Sequence, residues 1–555
     1  MAHLAMTLAG ATTGIRQRIA ARIATMSGYD LATVALLAAL VALAFATHGS
    51  YAISNDEEVQ QHYGELIIAY YTSGFTDQSL FHYVNLYLYG GFFDVMAVLT
   101  ERALPFVEPY TIRHLLCALI GIAGIAAAGA TARLVAGARA GALAAFALAL
   151  CGPWYGSMFN HTKDIPFAAA MMGATYFLLR AARDLPHPRR RDVIGFGLLL
   201  GAALGIRVLG LLLIGYVATA ILMRLPRRSA ASARARLRFF AESVLALTPA
   251  FLIGYVIMIA AWPWSALAPL NPLRGLIDFG QFHYEIRTLL AGNVYTMDQV
   301  PRWYVPAYLM IKLSLVILIG AALALLFVLP SRHGQRLSTA QRSEIALLAL
   351  IAGFPVICEV VDKGPAFNGL RHFLFVVPVL AALAGIGLDR MLAQWETRRR
   401  RLAVGLGATL AAALAWNAAQ LVWLHPYQYL YYNALVGGLA GASGRYVADY
   451  WVNIMPEAVQ YLEDYVARLD ETTGRGLPRY KVGVCGERLP FEKKASARLQ
   501  WTSNWDHADF FIAPTHMNCD RALPGLEIAT IERLGVRIGV VKDRRALVRP
   551  EIARR

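Results

Sequence analysis

The sequence predicts an α-helical polytopic membrane protein that ends in a small α/β domain, and three observations carry that expectation. Of 555 residues, 57% are hydrophobic and only 16% charged, with a mean hydropathy of +0.47, too apolar for a water-soluble globule of this size. Apolar runs of membrane-spanning length recur from residue 29 to residue 424. From His425 onward the composition turns polar and alternating.

The first run, 29–47, follows Arg16, Arg18 and Arg22 and shows no small-residue cleavage site before the acids that come next, so it reads as a retained signal-anchor helix. Further runs lie at 115–135, 141–158, 165–179, 245–262, 305–329, 345–361, 373–388 and 402–424, with a Gly-rich double segment at 193–223. About eleven helices are expected. The tail predicts a helix over 456–469 and strands at 481–485, 508–513 and 526–541. This divides the chain into a membrane module, 1–424, with an outer loop at 48–113, and a C-terminal α/β domain, 425–555. The tail has no Gly-rich phosphate loop after a strand, which argues against a nucleotide site.

The net charge of +16 does not mark a nucleic-acid partner, because the arginines cluster between apolar runs, where positive charge sets membrane orientation. Arg133 and Arg139, Arg180 to Arg191, Arg224 to Arg238, Arg332 to Arg342, and Arg390 to Arg401 should face the cytoplasm with the N-terminus. The polar motifs then share the opposite face.

Those motifs begin with Asp56, Glu57 and Glu58, just beyond the first span. Carboxylates beside hydrocarbon are costly without a partner or a task, so one of them is expected to be a catalytic base. The second motif, Asn160 to Pro166, places His161, Lys163 and Asp164 together at a helix start; Asp164 could serve only as a cap there, but an acid, an imidazole and an ammonium within five residues also suit a hydroxyl or a phosphate. In the double segment, two short helices meeting at Arg207, among Gly201, Gly205 and Gly210, would present its guanidinium to a phosphate or to headgroups. Arg371 with His372, and His283 in the 262–306 loop, add further polar groups. The aromatic-rich first loop, Tyr63 included, suits either interfacial anchoring or the entry of a long isoprenoid chain.

The five cysteines show no metal-ligand spacing; Cys485 and Cys519 could pair if the tail is periplasmic. His507 and His516 read as surface histidines.

In order and topology, the stretches SNDEE, NHTKDIPFA, VPRWYVPAYLMIK, GLRHFLFVVP, HPYQYLYYNALVGG and DYWVNIMPEA resemble the polytopic GT-C glycosyltransferases, in the bacterial branch related to protein O-mannosyltransferases and the lipid A aminoarabinose transferase. The resemblance implies inverting transfer of a sugar from a polyprenyl-phosphate donor to a glycan, lipid or protein at the periplasmic face of the inner membrane. It puts Asp56 in the catalytic position with Glu57 as competitor, and Asp164 as the second outer-loop acid. Lys163, Arg207, Arg371 and His372 would then hold the donor phosphate, and His161, His283 and Tyr63 the substrate. No cofactor is expected; a divalent cation on the acids ranks second. The other class of function in view is a transporter or flippase of polyprenyl-linked sugars, against which stand the absence of an internal repeat and the gathering of acids on one face.

Overall fold

The computed structural model describes residues 25–226, 231–280, 285–329, 337–362, 364, 366–473 and 479–549. Seven helices among them are long and apolar enough to cross a membrane, and a bent pair makes an eighth candidate; Ala138–Ala149 and Val208–Arg224 are shorter apolar helices. The outermost spans, Gly28–Ser50 and Arg400–Leu424, bury little of their surface in the protein, while Asp164–Arg183 and Arg371–Arg398 are largely enclosed.

The centre of the bundle is built on small residues. A Cβ on Gly387 would overlap the carbonyl of Gly320, and one on Gly385 would overlap that of Ala140. These glycines let the helix Val377–Arg398 pack backbone to backbone on Leu315–Val328 and Ala138–Ala149, which replaces the hydrophobic drive that lipid removes.

Two spans expected to be continuous are broken. The run 141–158 divides into Ala138–Ala149 and Gly152–Ser157 because Pro153 fits only the first turn of a new helix. The run 305–329 becomes Tyr304–Lys312 and Leu315–Val328, bent by 113°. Asn433 fills that bend: its side-chain amide donates to the carbonyls of Met310 (2.6 Å) and Leu313 (2.8 Å), and its own N–H to that of Ile311 (2.9 Å). The broken backbone is thereby satisfied inside the protein. The double segment 193–223 divides as expected, into Arg190–Leu204 and a 3₁₀ turn, Val208–Leu211, that leads into Leu212–Arg224; Arg207 stands at the break.

Basic residues pair at one end of the bundle: Arg133 with Asp30 (2.6 Å), Arg180 with Asp192 (2.6 Å), Arg139 with Asp389 (2.7 Å), and Arg183 (2.7 Å) and Arg224 (3.0 Å) with Glu344. The polar motifs lie at the other end. There a small hairpin, β1 (Arg287–Leu290) and β2 (Asn293–Thr296), precedes the bent pair. Residues 425–454 run back across the bundle, and Gly156 leaves room for the backbone of Tyr429.

The tail forms a five-stranded sheet, β3 (Tyr480–Val484), β4 (Leu499–Trp501), β5 (Phe510–Pro514), β6 (Leu526–Arg533) and β7 (Val536–Asp543), in the order β4-β3-β5-β7-β6. β3 is parallel to β4 and β5, and the β5–β7 and β6–β7 pairs are antiparallel. The helix Met455–Thr473 packs on it, and a Cys485–Cys519 disulfide joins the segments that follow β3 and β5. Arg533 at the end of β6 ties the sheet to the bundle, donating to Glu457 (2.7 Å) and to the His425 carbonyl (2.9 Å).

Candidate active site

The acid triplet is split by the start of the helix Glu57–Thr72. Glu57 is fully buried, accepts the Ser54 backbone N–H at 2.6 Å and lies 3.1 Å from His114 Nε2. Glu58 points to the exterior. Asp56 alone of the three keeps its carboxylate, 36% exposed, on the cleft, where it pairs with Arg371.

Asp164 opens the helix Asp164–Arg183, yet that helix start has no side-chain cap bond. Its buried carboxylate takes Arg207 on one oxygen and Arg371 Nε, at 3.0 Å, on the other. One guanidinium therefore joins the two outer-loop acids. Arg371 reaches them because Gly369 turns the chain with φ +68°, its N–H held at 2.8 Å by the Tyr304 hydroxyl. The ring of Trp451 lies 4.3 Å below the Arg371 guanidinium, a cation–π seat.

Arg207 is set by the helix break. The first outer loop docks there, with the Phe92 N–H on the Gly205 carbonyl (2.9 Å) and the Gly91 N–H on that of Ala261 (2.8 Å). Gly90 is required at this crossing, because a side chain would overlap the Gly205 carbonyl. Arg207 Nε is buried with no partner among the described residues, as is Nε2 of His372, whose ring packs 4.6 Å from Phe367.

Lys163 has no ion pair among the described residues; its ammonium sits 4.4 Å from the Tyr89 ring and 5.9 Å from that of Tyr63. Burial brings its pKa down to about 8. Tyr63 is enclosed and donates its hydroxyl to the Tyr89 carbonyl at 3.1 Å. His283 lies outside the described residues.

His161 has both ring nitrogens engaged. Trp451 Nε1, which can only donate, lies 2.7 Å from Nε2, so that nitrogen accepts and Nδ1 carries the proton toward Asn160 Oδ1 at 3.2 Å. The Tyr450 hydroxyl is 2.8 Å from the same Nε2. Burial pushes the imidazole down to about 3, so it is neutral at physiological pH.

The segment Asp449 to Ile454 is the part of the site that sequence reasoning missed. Asp449 accepts the Tyr429 hydroxyl and the backbone N–H groups of Asn453 (2.8 Å) and Ile454 (3.0 Å), with Val452 held at φ +53°. This turn delivers Tyr450 and Trp451 over Arg371 and His161, and Asn453 to Asn160 at 2.8 Å. The available signal was DYWVN itself, a polar and aromatic cluster noted only for its resemblance.

Among the described residues no three His, Cys, Asp or Glu side chains converge as a metal site. The charge between Asp56 and Asp164 is supplied by Arg371.

The chain has the fold of the GT-C membrane glycosyltransferases. Its residues 110–264, which include Asp164 and Arg207, match the family model described as dolichyl-phosphate-mannose-protein mannosyltransferase. The structure is similar to that of ArnT from Cupriavidus metallidurans bound to undecaprenyl phosphate, with a TM-score of 0.50 and 17% identity over 92% of this chain and 97% of that one. Weaker likenesses are the Archaeoglobus fulgidus oligosaccharyltransferase in its apo form (TM-score 0.46, 13% identity, 86% of this chain and 65% of that one) and the mycobacterial arabinofuranosyltransferase AftD (0.40, 13%, 91% and 41%). No curated protein matches the sequence.

Proposed function

We propose that the chain is a glycosyltransferase that moves a sugar from a polyprenyl-phosphate donor to an acceptor hydroxyl or amine at the periplasmic face of a bacterial inner membrane. The observation that carries this reading is the Asp56–Arg371–Asp164–Arg207 chain, with an apolar groove whose lining starts at the residue after Arg207. The groove has a volume of about 530 Å³, begins at Val208 beside Arg207, and runs between Leu212, Tyr216, Leu276 and Phe354. Its apolar walls suit an isoprenoid tail.

In this mechanism Asp56 accepts the acceptor's proton as the acceptor oxygen or nitrogen bonds to the anomeric carbon, and the bond from that carbon to the phosphate oxygen breaks. Arg207, Arg371, Lys163 and His372 surround the phosphate that leaves, while Asp164 holds the two arginines in place before substrate arrives. Displacement of Arg371 from Asp56 by the donor phosphate frees the base. The match of 110–264 to a family named for a dolichyl-phosphate-mannose donor, and the undecaprenyl phosphate bound in the ArnT structure, support a lipid-phosphate donor. Because side chains supply the positive charge, transfer is expected to survive EDTA; loss in EDTA with recovery in Mg²⁺ would make the acids metal ligands.

The test supplies purified protein with a panel of radiolabelled polyprenyl-phosphate sugars. Release of polyprenyl phosphate by the native chain supports the reading. Bound donor that is never cleaved, but crosses the bilayer of a proteoliposome, would replace it with a flippase.

A further inference from the structure

The tail domain carries a second hollow, apart from the acids. It encloses about 340 Å³ between the sheet and the turn at Ser443 and Gly444, and nearly every lining side chain is polar. We infer that this hollow binds an anionic saccharide unit, a sugar bearing a carboxylate.

The lining is rich in unused donors. Among the described residues, no hydrogen bond or ion pair engages the guanidinium of Arg521 or the side-chain amide of Asn518, and Arg537 Nε is buried with no partner. Lys542 spends two of its three protons on the carbonyls of Asp520 (2.6 Å) and Leu523 (3.0 Å), leaving the third. Arg537 is fixed by Glu527 at 2.6 Å and lies 3.7 Å from Asp520, so these acids orient a donor and keep lone pairs for hydroxyl groups. Three cations outnumber two acids, and guanidinium forks match carboxylate and phosphate oxygens. A neutral sugar would leave that surplus unanswered.

The backbone is shaped for the same purpose. Met517 (φ 54°) and Asn518 (φ 59°) are consecutive left-handed residues, a costly arrangement for non-glycine side chains that the neighbouring Cys485–Cys519 disulfide anchors. It turns the Asn518 side chain to the hollow's rim. On the opposite wall, Ser443 and Gly444 lie a few residues before the Asp449 turn that carries Tyr450 and Trp451 to the site. On the transferase reading the charged unit would belong to the acceptor glycan; that role, unlike the binding itself, rests on that reading.

The experiment is saturation-transfer NMR and calorimetry on the full-length protein in detergent, without donor, using glucuronate, glucose and inorganic phosphate as probes. Saturable glucuronate binding, at least tenfold tighter than glucose or phosphate and weakened at least tenfold in both Arg521→Glu and Asn518→Ala, supports the site. Arg521 and Asn518 are exposed, so unchanged melting of these variants separates lost binding from lost folding. Absence of glucuronate binding, phosphate binding as tight as glucuronate, or affinity unchanged in both variants overturns it. Since no turnover is measured, failure here leaves the donor-cleavage test standing.

Discussion

Arg371 donates from Nε to Asp164 at 3.0 Å and from Nη2 to Asp56, so the site's two acids share one cation. Asp56 is the more exposed of the two and faces the cleft, whereas Asp164 is enclosed by guanidinium groups. Removing each acid should therefore fail differently. Asp56→Asn is expected to retain donor binding within a few-fold and lose at least ~10²-fold in turnover, the scale of a lost general base. Glu57→Gln should not reproduce that pattern, since Glu57 contacts Ser54 and His114. Single-turnover release of labelled polyprenyl phosphate beside equilibrium donor binding checks both.

Asp164→Asn leaves Arg207 and Arg371 in a buried place with one carboxylate fewer. Breaking a buried pair from one side costs about 3–5 kcal/mol, because the remaining charge has no compensation. A clear fall in melting temperature in detergent is expected, with donor-phosphate binding altered as the guanidinium groups lose their anchor. Adding Arg207→Gln to Asp164→Asn should cost less than the two changes summed, and a thermodynamic cycle over the four proteins measures that coupling.

The acids were legible because each lies at a helix end in an outer loop, where sequence position and hydropathy place it. Which acid of the triplet faces the cleft was not, since Glu57 is turned inward by His114, 57 residues away. Tyr450 and Trp451 were invisible as site residues because the contact that places them, Trp451 to His161, spans 290 positions. The bend after Lys312 likewise depends on Asn433, 120 residues beyond Leu313. Hydropathy reads local chain, and these features are set by side chains arriving from another segment to satisfy a broken backbone or a buried ring nitrogen. The break at Arg207 was readable for the opposite reason: its glycines and its excess length are local.

The Cys485–Cys519 bridge closes a loop of 34 residues around β4 and β5, and cross-links of that span stabilise by about 3–4 kcal/mol through the unfolded chain. Cys485→Ser with Cys519→Ser should lower the melting temperature of the tail domain while the membrane bundle stays folded. Reductant should do the same to the native chain and nothing to the double variant. Equal melting of native and double-variant proteins in the absence of reductant would show that the bridge contributes no stability.

Lys163 gives the site a pH limit with a definite sign. In water the ammonium titrates near 10.5; burial lowers this to about 8, with Asp94 acting in the opposite direction. Between those values the unfolded chain holds more protons than the folded one, so stability rises with pH across that window, and the cost of the buried ammonium is fully present below about pH 8. Donor binding should move the other way. Above pH 8 the folded protein loses the ammonium that meets the phosphate, and affinity is expected to fall by about tenfold, or ~1.4 kcal/mol, the low end for a charge-assisted contact. Lys163→Arg keeps its charge throughout and should abolish this alkaline fall, while Lys163→Met should bind donor weakly and equally at pH 7 and pH 9. Equilibrium binding of the labelled donor at these two values decides the matter: an identical pH dependence in the native and Arg proteins would take Lys163 out of the phosphate site.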